Sequence, residues 1–235
     1  MGIMQYITGG LQWLLDLFVG ITGSYGLAII AVTLLIRFIM YPLTLNQTKS
    51  MAAMKELQPK LKELQEKYKS EPKVYQEKTM ELYREHKVNP LGGCLPMLVQ
   101  LPFLWAFFRV LQDLGGGDEA QFLGLWDLSL SAWEVIQELL ASPDVSVFAL
   151  AFGVIVAASL PLISSATTFW QMTMTATDPS QKTMMMVMPV MIGVFSFNFP
   201  AGLVLYWVVS NLFSIGQQFM ITKDNRVLEQ GGRAE

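Results

Sequence analysis

The chain has 235 residues, of which 52% are hydrophobic and only 15% are charged, a composition typical of polytopic membrane proteins rather than of soluble domains. With one cysteine, one histidine and a formal net charge of -3, the sequence excludes a disulfide framework and a multi-ligand Cys/His metal site. It also leaves the apolar segments without a histidine base for nucleophilic catalysis. We therefore expect no enzyme, no cofactor and no metal.

Residues 1–20 are predicted to form an amphipathic helix that lies in the membrane interface on the outer face. Its apolar residues recur at helical spacing on one side: Ile3, Ile7, Leu11, Leu14, Leu15 and Phe18. The glycines between 20 and 26 separate this helix from the first membrane span. The alternative, an extension of that span, stays open.

The first predicted span occupies residues 21–46 and is organised around a basic residue. Its apolar part, residues 27–46, has the length of about 20 residues that an α-helix needs to cross ~30 Å of hydrocarbon. Arg37 lies near its middle, where a guanidinium costs about 2.5–3.5 kcal/mol on insertion scales. Helical spacing places Thr33, Arg37, Tyr41 and Thr44 on one face. Pro42 is expected to bend the end of the span.

Two ordinary explanations exist for Arg37. It could snorkel to the headgroups or pair with a buried carboxylate. Snorkelling is strained because Arg37 lies about ten residues from either end of a span of about twenty, and no other apolar segment has an Asp or Glu in its interior. The sequence therefore favours a cation that faces water or a guest molecule.

Residues 47–90 are predicted to form a helical hairpin in the cytoplasm. The stretch 47–88 holds ten Lys or Arg residues and seven Glu residues. Ser70, placed before Pro72, is predicted to cap a second helix at about 73–87. The first helix carries apolar residues in steps of three and four, which is the pattern of a seam between packed helices: Met54, Leu57, Leu61, Leu64 and Tyr68.

The rest of the chain alternates apolar and polar stretches. We predict a second span at 91–112, an outer acidic loop at 113–145 with a short helix near 131–141, and spans three to five within 146–221. Those three spans are placed at about 146–170, 183–199 and 201–221, with an inner loop at 175–182, and a cytoplasmic tail at 222–235. Lys and Arg crowd into the hairpin and are absent from 113–145, so the positive-inside rule places the N-terminus outside and the C-terminus in the cytoplasm.

Polar residues of the spans concentrate in their cytoplasmic halves. This holds for the first, second, third and fifth spans, whereas the fourth is apolar throughout. Because a polar group facing lipid costs several kcal/mol, the pattern predicts a shared hydrophilic cavity that is closed outside and open to the cytoplasm. Hydrogen bonding between helices in a dry bundle is the alternative. The candidate lining residues are Thr33, Arg37, Tyr41, Gln100, Thr167, Tyr206, Trp207, Asn211 and Ser214.

Three segments resemble the YidC/Oxa/Alb family of membrane protein insertases. They are residues 89–111 (NPLGGCLPMLVQLPFLWAFFRVL), the Arg-bearing first span with residues 41–68 after it (YPLTLNQTKSMAAMKELQPKLKELQEKY), and residues 199–218 (FPAGLVLYWVVSNLFSIGQQ). The resemblance implies an all-α, five-span insertase core with a cytoplasmic helical hairpin and a positively charged hydrophilic groove. It assigns Arg37, Gln100, Tyr206 and Trp207 to that groove.

Some relatives have a large outer domain and an additional N-terminal span, which we do not expect here. The short and weakly basic tail argues against ribosome docking through the tail, and the lack of a transit peptide favours a bacterial plasma membrane. The expected partners are newly made membrane proteins and the lipid bilayer. The Sec translocon, the ribosome and targeting factors are candidate contacts of the hairpin, and no direct nucleic-acid binding is expected.

The leading hypothesis is insertion of small membrane proteins without nucleotide hydrolysis, with Arg37 capturing an acidic translocated tail. A transporter or channel for a small anion would need polar residues on both sides of the midplane or inverted repeats, and neither is visible. An intramembrane protease lacks a base, because the single histidine, His86, lies on the hairpin. An assembly factor that works with the Sec translocon remains open.

Overall fold

The computed structural model describes residues 2–86, 88, 95–112, 120–175 and 182–231. Within these ranges the chain is helical apart from one short antiparallel strand pair, which confirms the predicted all-α class. The helices are α1 (Ile3–Thr22), α2 (Tyr25–Ile39), α3 (Tyr41–Glu56), α4 (Gln58–Lys67), α5 (Pro72–Glu85), α6 (Leu95–Gln112), α7 (Ala132–Ala141), α8 (Val147–Thr175), α9 (Lys182–Ser196) and α10 (Ala201–Gly231). The strands are β1 (Gln121–Phe122) and β2 (Trp126–Asp127).

The predicted spans and the observed helices differ mainly at their ends. Helix α8 runs past the expected end at 170, and α10 continues to Gly231 through most of the region predicted as a tail. Hydropathy marks where an apolar stretch ends, whereas backbone hydrogen bonding continues as long as the residues tolerate helix. Parts of several predicted segments lie outside the described residues: 89–94, 113–119, 176–181 and 232–235.

The helix predicted for the first span is interrupted at Met40, between α2 and α3. Pro42 comes in the first turn of α3, and a proline both lacks an N–H and crowds the carbonyl four residues before it, here that of Phe38. The amide of Met40 instead contacts the carbonyls of Ile36 and Phe38. Arg37 therefore lies in the last turn of α2, just before the break.

The main hydrophobic core lies at one end of the bundle, which we call the loop end because the 120–131 segment and α7 pack there. It joins the buried face of α1 (Leu11 and Leu15) to residues of α2, α6 and the first turns of α10. A side chain added at Gly202 would come within 2.9 Å of Leu111 and 3.2 Å of Ile29. This glycine thus lets α10 approach α6 and α2 closely, so that apolar side chains fill the loop end of the bundle.

Helix α1 has three faces, which suit the membrane interface. One face packs on the core through Leu11 and Leu15. Tyr6 and Trp13 are exposed on a second face, while Gln12 and Asp16 lie on a third. One apolar face of this helix packs on the protein and another is exposed, with polar residues between the two. A helix of this kind can lie along the membrane surface. It ends at Gly23, whose φ of 69° is in the left-handed region.

The 128–130 segment, just before α7, caps the start of α10. The amides of Ala201 and Gly202 donate to the carbonyls of Leu130 and Leu128 at 2.8 and 3.0 Å, so two of the four orphan N–H groups of the helix are satisfied by backbone. The strand pair and this backbone docking were not predicted, because main-chain pairing leaves little trace in side-chain patterns.

The hairpin forms from α4 and α5 and has its own small core. Leu57, Leu61 and Tyr83 are buried there, with Met54 and Leu82 packed against them. Helix α5 begins at Pro72 with Glu71 in the N-cap position and no side-chain cap. The prediction that Ser70 caps this helix is therefore wrong, because proline at the first helical position fixes the start.

The outside of the bundle is apolar. Two described helices, Val147–Met174 and Ala201–Ile221, are long and apolar enough to cross a membrane, and only 22% of the apolar window of the first is buried. A core helix of a soluble protein would be mostly buried, so exposed side chains such as Phe148, Ile155 and Val190 indicate a lipid environment.

Candidate functional site

The candidate site is built around the guanidinium of Arg37, between α2, α6 and α10. Its Nη1 donates to Ser214 Oγ and its Nη2 donates to Gln100 Oε1, both at 3.3 Å. These distances are longer than the usual 2.7–3.2 Å range, so both bonds are weak. We call Arg37, Gln100, Tyr206 and Ser214 the guanidinium cluster.

Gln100 and Tyr206 connect this cluster to the core. The amide Nε2 of Gln100 donates to the hydroxyl of Tyr206, whose ring stacks on Phe107 with centroids 4.3 Å apart. Tyr206 is only 2% exposed, and Phe107 belongs to the main core. The main core therefore borders the guanidinium cluster on its loop-end side. Ser214 lies about 20 Å along α10 from Ala201, at ~1.5 Å per residue.

The guanidinium has no carboxylate partner in the part of the chain that the structure describes. There, the only ion pair joins Lys78 to Glu81 on the hairpin. The Arg37 side chain is half-buried, so its charge is partly removed from solvent yet compensated only by neutral oxygens. Such a group carries an electrostatic preference for an external anion.

Three of the predicted lining residues form a separate cluster between α8 and α10. The amide Nδ2 of Asn211 donates to Thr168 Oγ1 at 2.9 Å and to Thr167 Oγ1 at 3.2 Å, and the indole of Trp207 donates to Thr168 at 3.3 Å. Asn211 and both threonines are buried. Here the geometry is that of hydrogen bonding between helices.

Two other predicted residues lie apart from both clusters. Thr33 is fully buried and its hydroxyl donates to the carbonyl of Ile29 in its own helix, at 2.6 Å. Tyr41 is half-buried and begins α3. The break at Met40 therefore separates Tyr41 from the helix that carries Thr33 and Arg37, so the face predicted for an unbroken span does not continue through it.

One contact between α3 and α10 was missing from the predicted set. Gln217 Nε2 donates to Thr44 Oγ1 at 2.7 Å, and Gln217 is buried. Helical spacing could have predicted it, since Gln217 lies three residues after Ser214 and eleven after Tyr206 and so shares their face of α10. The polar face that bears the guanidinium cluster thus extends toward the hairpin.

Among the described residues, no group of three or more His, Cys, Asp or Glu side chains could hold a metal ion. The chemistry that this arrangement offers is binding of an anionic or hydrogen-bonding group.

Comparison with known proteins identifies the family. A family model described as "60Kd inner membrane protein" matches residues 17–229. The chain belongs to the 60Kd inner membrane protein family. A Fusobacterium nucleatum protein named membrane protein insertase YidC is 42% identical over 226 residues, which are 94% of this chain and 98% of that protein.

Other members of the 60Kd inner membrane protein family are longer. A protein of the same name from Helicobacter pylori strain J99 is 39% identical over 99% of this chain, but the chain spans only 38% of its length. A crystal structure of an active YidC insertase with its first transmembrane domain resolved is similar with a TM-score of 0.69 and 28% identity, covering 90% of this chain and 45% of that one. Family membership agrees with the apolar outer surface of the bundle.

Proposed function

We propose that this chain is a membrane protein insertase that works without nucleotide hydrolysis. The observation that carries the proposal is the half-buried guanidinium of Arg37, whose hydrogen-bond partners are the neutral side chains of Gln100 and Ser214. An ion pair at 4 Å gains about 4 kcal/mol at an effective dielectric constant near 20, against about 1 kcal/mol in water. An acidic segment of a precursor would supply the missing anion, and the name that the relatives carry supports this activity.

The proposed topology has five spans, with the N-terminus outside and the hairpin and C-terminus in the cytoplasm of a bacterial cell. The excess of Lys and Arg in 47–88 and their absence from 113–145 support this orientation. Helices α2 and α9 have 15 residues each, which cover only about 22 Å. The first span therefore needs the first turns of α3 to cross the hydrocarbon.

We propose that the precursor enters at the end of the bundle nearest the hairpin, opposite the loop end, and leaves sideways into lipid. The guanidinium cluster and the Gln217–Thr44 contact make that end polar, while the main core closes the loop end. Burial of the precursor's apolar segment, at ~25 cal/mol per Å², drives its release. A membrane potential that is positive outside favours the transfer of each negative charge to the outer side by about 2.3 kcal/mol per 100 mV.

The hairpin is the proposed contact surface for partners in the cytoplasm. Its helices α4 and α5 bury a small apolar seam and leave most of their charged side chains exposed. The candidate partners are the Sec translocon, the ribosome and targeting factors, besides the precursor proteins themselves. Charge on a helical pair of this kind favours recognition of partners more than it adds affinity.

The proposal is tested by exchanging Arg37 in purified protein reconstituted into liposomes. The substrates are a one-span precursor with an acidic translocated tail and the same precursor with a neutral tail, and insertion is scored by protection of the tail from added protease. Arg37→Ala is expected to lower insertion of the acidic-tailed substrate about tenfold, equivalent to ~1.4 kcal/mol. Arg37→Glu should lower it further, and Arg37→Lys should retain most of it.

Arg109→Ala is the matched control. Arg109 is an exposed arginine at the other end of α6, where it lies over the ring of Trp105, 5.6 Å from its centroid. Its removal also takes one positive charge from the protein but leaves the guanidinium cluster intact. Equal insertion by Arg37→Ala and Arg109→Ala, or equal losses for the acidic and neutral tails, contradicts electrostatic capture.

A further inference from the structure

A cavity at the loop end lies outside the candidate site. It has a volume of about 370 Å³ and is lined by α7, the strand pair, the first half of α8 and the turn between α9 and α10. This volume is within the range of ligand pockets, about 300–1,000 Å³. We call it the loop-end cavity.

The wall of the loop-end cavity is mostly hydrocarbon. Val135, Leu139, Val156, Leu160 and Val204 contribute to it. Trp126 also lines it, but its indole N–H already donates to the carbonyl of Val156 at 3.0 Å, which leaves ring carbon for the lining. A cavity of this composition favours an apolar occupant over ordered water, which needs several polar partners.

The cavity has the depth of half a bilayer. Its lining on α8 runs from Phe152 to Pro161, which is about 14 Å at ~1.5 Å per residue. One leaflet of a ~30 Å hydrocarbon core is about 15 Å deep. Phe152 is 62% exposed on the same apolar surface as Phe148 and Ile155, so the cavity opens toward lipid.

The charged groups of the lining are acidic. Glu138 on α7 and Asp127 of β2 contribute to the cavity wall, and there is no Lys or Arg between residues 113 and 181. Glu138 is exposed, while one oxygen of Asp127 accepts from the amide and the hydroxyl of Ser129. This field attracts an ammonium group and repels an anionic headgroup.

We propose that the loop-end cavity binds one acyl chain of a phosphatidylethanolamine molecule, with the ammonium of its headgroup near Glu138. The chain lies along α8 between α7 and α10, and the headgroup stays at the level of α7. The site depends on the membrane location of the bundle but not on the insertase proposal, on Arg37 or on the direction in which the protein faces.

The test is native mass spectrometry of the protein released from nanodiscs that contain equal amounts of phosphatidylethanolamine and phosphatidylglycerol with identical chains. The wild type is expected to retain one phosphatidylethanolamine about tenfold more often than phosphatidylglycerol. Ala157→Phe fills the cavity, since Ala157 lines it and is only 7% exposed, and should abolish this retention. Ala151→Phe on the exposed side of α8 is the matched control and should behave as the wild type.

Glu138→Gln separates the headgroup contact from the chain contact. It should lower the preference for phosphatidylethanolamine severalfold without removing lipid binding. A phosphatidylethanolamine with a diazirine in its chain gives a second measurement on the wild type, and its crosslinks are expected within 152–161. Crosslinks only elsewhere, equal retention of both lipids by the wild type, or undiminished retention by a folded Ala157→Phe protein overturns the proposal.

Discussion

At the scale of single residues, the setting of Arg37 suits the binding role that we propose for it. A structural buried arginine is held by a carboxylate with short bidentate bonds. Here the described partners are Gln100 and Ser214 at 3.3 Å, and both are neutral. Gln100 is itself fixed by Tyr206, so an incoming anion can replace weak bonds to Arg37 without dismantling the core.

Asn211 has the opposite character, and its substitution gives a prediction. Asn211→Leu removes the two bonds to Thr167 and Thr168, but both hydroxyls keep their bonds to carbonyls of α8. We expect a loss of about 0.6 kcal/mol in the free energy of unfolding, and no more than about 1.7 kcal/mol, as for other hydrogen bonds between membrane helices. Unfolding in mixed micelles, followed by circular dichroism, measures it.

Insertion by the Asn211→Leu protein should stay close to that of the wild type, because Asn211 belongs to the α8–α10 contact. Leu212→Ala, on the exposed side of the same helix, controls for a substitution in α10 that leaves the α8–α10 contact intact. If a stable Asn211→Leu protein no longer inserts the acidic-tailed precursor, Asn211 acts in the groove, as the sequence predicted, and this expectation is wrong.

At the scale of elements, α7 begins with a complete capping box. The hydroxyl of Ser131 accepts from the amide of Glu134 at 3.2 Å, and the carboxylate of Glu134 accepts from the amide and the hydroxyl of Ser131, each at 2.7 Å. These backbone and side-chain bonds from Ser131 hold the pKa of Glu134 below its ordinary value. The motif S-x-x-E at 131–134 is readable in the sequence.

The capping box predicts a pH dependence of stability. Because the pKa of the Glu134 carboxyl is lower in the folded protein, its stabilising contribution is fully present above the ordinary value of 4.5 and is lost as the pH falls through the folded value. Glu134→Gln should therefore destabilise the protein at pH 7 but much less at a pH below the folded pKa. Thermal unfolding of both proteins across this range measures the difference.

Glu138→Gln one turn later on α7 controls for the loss of a negative charge. A penalty for Glu134→Gln that is equal at both ends of the pH range would contradict a role for the ionised carboxylate. Ser131→Ala should cost about 1 kcal/mol at pH 7, as for other N-caps.

Helix α10 combines two polar contacts that diverge around its axis. Tyr206 and Ser214 belong to the guanidinium cluster, while Trp207 and Asn211 contact α8. Its start is fixed by the backbone of the 128–130 segment. This attachment sets the rotation of the helix, so the loop end indirectly places Ser214 beside Arg37.

At the scale of the whole molecule, apolar and polar contacts occupy different parts of the bundle along its length. The main core gathers at the loop end, and the guanidinium cluster lies below it. The hairpin holds a second, separate core of Leu57, Leu61 and Tyr83. Separate cores of unequal size usually open independently, with the smaller unit opening at a lower free energy.

The separation predicts independent unfolding of the hairpin. Leu61→Asp places a carboxylate at a site that is only 5% exposed and should unfold α4 and α5 while leaving the rest of the bundle intact. Hydrogen exchange followed by mass spectrometry should show faster exchange in 58–85 and unchanged exchange in 201–221.

Lys62→Asp introduces the same side chain at the neighbouring exposed position and should leave both regions as in the wild type. If exchange in 201–221 rises together with that in 58–85 in the Leu61→Asp protein, the hairpin and the bundle form one cooperative unit and the prediction fails.

The sequence by itself determined the helical membrane class, the isolated cation at Arg37 and three of the five predicted seam residues of the hairpin, Met54, Leu57 and Leu61. Each of these comes from composition or from periodicity within one helix. The tertiary structure alone decided that Gln100 and Ser214 contact Arg37 whereas Thr167 and Asn211 contact each other. Periodicity defines the faces of a helix but not its rotation against its neighbours. That rotation depends on close approaches such as the one at Gly202 and on backbone bonds such as those of Leu128 and Leu130.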